Sequence, residues 1–90
     1  MKVMAVQNSI PKIVKRFANL LWVNVPMAWR MHELYHKNKL HVTILIEDED
    51  GEITKVQRAY RLKDLKKCKD DIWGLAEDCA KEIIHASREV

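Results

Sequence analysis

His32 and His36 flank the run His32-Glu33-Leu34-Tyr35-His36, which has the spacing H-E-x-x-H. On an α-helix, residues four apart differ by about 40° and face the same way. Two imidazoles placed so can ligate one zinc ion, and the intervening glutamate can serve as general base toward a metal-bound water. Other chemistry-bearing groups are sparse. Serine occurs only at Ser9 and Ser87, and cysteine only at Cys68 and Cys79. There is no glycine-rich phosphate loop and no nucleophile elbow. Paired carboxylates occur only in one acidic loop and along helical runs.

The HELYH motif resembles that of the zincin metallopeptidases over these five residues. The resemblance implies His32 and His36 as zinc ligands and Glu33 as the base. Beyond the motif the chain departs from the family. The metzincin form continues with glycine and then a third histidine, where this chain has Lys39 and Val42. His41 is one place short and falls on a strand. Tyr35 is bulky where the family carries a smaller residue, and zincins present substrate on a strand before the motif, whereas the clear strands here come after it. The preferred expectation is a helix margin with no metal, no cofactor and no catalytic role.

Several elements must position these residues. Residues 1–8 read as a short strand or a loose N-terminus. Ser9 and Pro11 suit a helix start, because serine caps free N–H groups and proline's missing donor has no partner there. Ile10, Ile13, Val14, Phe17, Leu20 and Leu21 recur at helical spacing opposite Lys12, Lys15, Arg16 and Asn19. Pro26 interrupts that pattern. A second helix, capped by Asn24, is expected to reach His36 with Met27, Met31, Leu34 and Tyr35 inward; one kinked helix from Ser9 to His36 is the alternative. Two strands come next, residues 40–47 and 53–62. A three-residue loop of Glu49, Asp50 and Gly51 puts Ile46 opposite Thr54, Ile44 opposite Val56 and Leu40 opposite Tyr60, so the apolar side chains share one face. Arg58 is the discord on that face and belongs near the sheet margin. The last element is expected as one helix from Asp64 to Ala86, with Gly74 marking either a close approach or a break capped by Asp70 or Asp71.

The fold class is therefore α+β: a single small domain over residues 1–90, in the order helix-helix-strand-strand-helix, with an antiparallel hairpin packed on helices. The chain of 90 residues supports one modest core. Its two cysteines, eleven residues apart, stand about 16 Å apart on one helix and cannot pair there. Free thiols suit a reducing, cytoplasmic setting. No apolar run reaches the roughly 18 residues of a membrane span, and no secretory leader pattern is present.

The net charge of +3 is arranged in blocks. Residues 1–39 carry +6, residues 40–52 carry −5, residues 53–69 carry +6 and residues 70–90 carry −4. Such segregation speaks to partners rather than to fold. The expected function is docking on a macromolecule, a protein before a nucleic acid, with no membrane role. The contact surface is expected to include Trp29, His36, Leu45, Lys55, Gln57 and Arg61. The alternative partner is nucleic acid, met by the basic face of the hairpin. A lone hairpin has two open edges, so a homodimer is a further expectation. A short, charge-segregated chain also suits a phage or plasmid accessory protein that inhibits or redirects a host complex.

Overall fold

A computed structural model describes residues 10–88. The expected capping by Ser9 and the expected strand or loose end at 1–8 lie outside these residues. The order is α1 (Lys12–Val23), β1 (Ala28–His36), β2 (Lys39–Glu47), β3 (Ile53–Arg61), α2 (Leu62–Lys67), a 3₁₀ turn (Lys69–Asp71) and α3 (Ile72–Ser87). The three strands form one antiparallel sheet in the order β1-β2-β3. The α+β class stands, but the second helix is a strand.

α1 buries Val14, Phe17, Ala18 and Leu21, the 3.6-residue stripe of the sequence. Asn24 does not cap a second helix. Its side-chain amide donates to the Leu20 carbonyl at 2.7 Å and its backbone N–H to the same oxygen at 3.1 Å, closing the end of α1. Pro26 then prevents a helical continuation, and the chain enters β1.

The segment 28–36 becomes a strand because β2 has an edge to satisfy. A two-stranded hairpin is marginal in water, and a third strand pairs the open backbone groups of β2. The closing turn is Lys37-Asn38, both in the left-handed region at φ 49° and 61°, as a two-residue hairpin turn requires. β1 alternates from Arg30 onward: Met31, Glu33 and Tyr35 are half-buried, whereas Arg30, His32, Leu34 and His36 are exposed.

The β2–β3 hairpin has the expected register, with Ile46 opposite Thr54, Ile44 opposite Val56 and Leu40 opposite Tyr60. Asp48 organises its loop: its carboxylate accepts from the backbone N–H groups of Asp50 and Glu52, both at 2.9 Å. Gly51 takes φ 81°, which glycine adopts without strain. Leu40, Val42, Ile44, Ile46 and Val56 are buried in a single cluster with Phe17, Leu21, Leu65, Ala76 and Ile83. The rings of Phe17 and Tyr60 meet edge-on, 5.0 Å between centroids. Arg58, on this inner face of an outer strand, forms a forked pair with Glu82 of α3 at 2.8 and 2.6 Å.

The last element is not one helix but takes the alternative, a break with Asp71 as the cap. α2 ends at Lys67, and Asp71 caps α3 by accepting from the Gly74 N–H at 3.2 Å. Cys68 therefore lies at the end of α2 and Cys79 within α3, so the single-helix spacing argument does not describe them; both are half-buried free thiols. No helix among the described residues is long and apolar enough to cross a membrane.

Candidate interaction surface

Alternation along three strands gives the sheet two unlike faces. The inner face meets the helices. The outer face has rows set by register: Arg30–Leu45–Lys55, His32–Thr43–Gln57, Leu34–His41–Ala59 and His36–Lys39–Arg61. Ile53 and Glu47 pair at its far end. Most of these side chains are exposed; Thr43 and Leu45 are half-buried. Gln57 reaches Thr43 across the strands at 3.4 Å. Thus Leu45, Lys55, Gln57, Arg61 and His36, expected to form a contact surface, do share one face.

Trp29 precedes Arg30 of this face, in a setting different from the one expected. A helix over this segment would carry it on a shoulder. In the fold it is the extra residue of a β-bulge between Ala28 and Arg30, and it remains 57% exposed. A bulge re-aims a side chain and disrupts pairing along the strand. Leu34 and Ile53, each 51% exposed, add apolar area to the outer face. Arg30, His32 and Leu34 were not expected there. The signal that could have found them is the alternation of residues 30–36 ahead of Lys37-Asn38, a pair suited to a tight turn.

The strand also changes the meaning of HELYH. Four residues along a strand cover about 13 Å, so His32 and His36 face the same way but stand too far apart to grip one ion. Glu33 points to the opposite, inner face and cannot serve as base between them. Among the described residues, no group of three or more histidines, cysteines or acids is arranged to hold a metal. The helix geometry required by the zincin reading is absent.

Charge divides the molecule end to end. The β2–β3 loop carries Asp48, Glu49, Asp50 and Glu52. At the other end of the strands, the β1–β2 turn meets the start of α2, where the Leu62 N–H donates to the Asn38 carbonyl at 2.8 Å. A cleft of about 280 Å³ opens there, lined by Lys37, Asn38, Lys39, Arg61, Leu62, Lys63 and Lys66. A second cleft of about 500 Å³ is lined by Lys12, Ile13, Arg16, Lys66, Lys69 and Ile72. Among the described residues, neither lining contains an acid. Asp64 lies close by and pairs with Arg61 at 3.0 Å. The basic end was not foreseen as a unit, because Lys37 and Lys39 read as cations at the end of a helix.

Titration behaviour is perturbed mainly where β3 meets α3. The hydrogen bond from Arg58 holds the Glu82 carboxyl below its ordinary range. Burial pushes the Tyr60 phenol well above its ordinary range and raises the neighbouring Cys79 thiol. These groups lie on the helix side of the sheet and not on the outer face.

No family model matches the chain, and neither the curated proteins nor the solved structures include a match.

Proposed function

We propose that this chain is a non-catalytic docking module that binds an acidic protein surface through the outer face of its sheet. The observation that carries the reading is the composition of that face, on which no other element among the described residues packs. Arg30, Lys39, Lys55 and Arg61 share that face with Leu34, Leu45, Ala59 and Ile53, apolar residues interspersed with His32, His41, Thr43 and Gln57, and the exposed Trp29 precedes Arg30 in the chain. Aromatic residues and arginine are favoured in protein interfaces, and exposed apolar side chains lose unfavourable hydration when covered. The cations would speed encounter with an acidic partner and exclude basic ones. They also oppose a homodimer formed by stacking this face on itself, because like charges would meet across the axis.

The size is adequate. Strands of nine residues run about 30 Å, and three strands with their side chains are about 20 Å wide. The resulting area of roughly 600 Å² approaches the ~800 Å² that each partner contributes to a standard interface. Occupying a partner's acidic surface is a means of regulation or inhibition, and the two free thiols suit a reducing, cytoplasmic setting.

The test is capture of partners from nuclease-treated lysate of the source cells by wild type, Trp29→Ala, Lys55→Glu and a basic-end control, Lys63→Glu. A partner retained by wild type and Lys63→Glu, weakened by salt, and lost with Trp29→Ala and Lys55→Glu supports the reading. Identical profiles for wild type and Trp29→Ala refute it.

A further inference from the structure

We infer a second binding site at the basic end of the molecule, a groove that takes the phosphate backbone of a nucleic acid. It borders the sheet face, sharing Lys39 and Arg61 with it, but its remaining chemistry differs. The two clefts share Lys66, and together their linings hold eight lysines and arginines. Their apolar residues are few, and neither cleft carries an aromatic side chain. Lysine is a compact, strongly hydrated point charge suited to phosphate oxygens. A protein-docking patch needs apolar and aromatic anchors instead. None of the lining lysines has an ion-pair partner among the described residues, so these charges are not already satisfied.

The arrangement is built by the fold rather than by a run in the sequence. Lys12 and Arg16 come from α1, Lys37 from the β1–β2 turn, Lys39 from the start of β2, and Lys63 and Lys66 from α2. The Leu62–Asn38 hydrogen bond holds the turn against α2. Lys66, common to both clefts, joins them into one track. The acidic loop lies at the other end of the strands, so a polyanion on the track need not meet it. Contacts from lysine to phosphate carry no sequence information, and binding is accordingly sequence-independent.

The test is fluorescence anisotropy with labelled 20-base-pair random-sequence duplexes of DNA and of RNA, from 50 to 300 mM salt, against polyglutamate. At about 0.1 M salt, each phosphate contact contributes roughly eightfold through counterion release, and removing two lowers the salt slope by about 1.8. Lys63→Ala combined with Lys66→Ala should therefore weaken duplex binding on the order of 60-fold. Trp29→Ala should bind duplexes as wild type does, which separates this site from the sheet face. Urea unfolding of each variant confirms that the exposed substitutions leave the fold intact. Three results would each overturn the inference: no duplex binding at 50 mM salt, equal binding to polyglutamate, or duplex binding unaffected by the double substitution.

Discussion

Ile44→Ala and Leu34→Ala form a matched pair that tests which way the sheet faces. Ile44 is fully buried at the centre of β2, whereas Leu34 on β1 is 51% exposed. Truncating isoleucine to alanine removes three carbons, about 2.4 kcal/mol of transfer free energy at ~0.8 per methylene. A residual cavity of roughly 60 Å³ adds about 1.5 kcal/mol, for a total near 4. Leu34 has the same number of carbons to lose, but about half of that area already meets water and no enclosed cavity remains. Its cost should be about 1 kcal/mol. A domain of this size has roughly 5–13 kcal/mol of total stability, so Ile44→Ala removes a large share and Leu34→Ala a small one. Urea unfolding monitored by circular dichroism reads both, with the slope m held as a check that the denatured state is unchanged. The outer face exists only if β1 is a strand with Leu34 turned away from the core. On a helix carrying Met27, Met31 and Leu34 inward, Leu34→Ala would cost as much as a core truncation. Equal losses for the two variants would remove the surface on which the docking proposal rests.

Two further predictions concern the junctions that hold α3. Asp71→Ala should cost about 1 kcal/mol as a lost N-cap, and Gly74→Ala should fail to give the usual gain of about 1 kcal/mol, because the added Cβ would press on the Asp71 carboxylate; in the Asp71→Ala background the same change should stabilise, as thermal melts of the four combinations will show. Glu82 titrates below its ordinary value of 4.5 because of Arg58, so its share of stability is present above pH 4.5 and lost as pH falls through its lowered folded value; Glu82→Gln should cost less than about 1 kcal/mol at pH 7 and flatten the acid limb of a stability–pH profile.

The parts of the fold that were legible had one dominant local pattern. α1 shows a clean 3.6-residue stripe that ends near Pro26. The β2–β3 hairpin is decided by parity, since only a three-residue loop puts Leu40, Val42, Ile44 and Val56 on one side. β1 was not legible, because Met27, Met31, Leu34 and Tyr35 satisfy helical spacing while the true inward series, Met31, Glu33 and Tyr35, has a charge in its middle. What turns the segment into a strand is the open edge of β2, a neighbour created only by folding. The break between α2 and α3 was legible only as an alternative, through the capping residues Asp70 and Asp71, because apolar residues continue through it, from Leu65 to Ile72 and Ala76. The candidate surface divides along the same line: Leu45, Lys55, Gln57 and Arg61 come from the hairpin register, whereas Arg30, His32 and Leu34 needed the third strand. The basic end required contacts between segments more than twenty residues apart, which no window on the sequence contains.

The single hydrogen bond between Leu62 and Asn38 gives the molecule a clasp. It fastens the tip of the first hairpin to the residue from which the terminal helical segment departs. A load applied at Lys37 is thereby delivered to α2 and onward to the capped start of α3. Occupancy at that tip should slow amide exchange in residues 62–67 as well as in the turn itself, making the clasp a reporter that can be watched without labelling any partner.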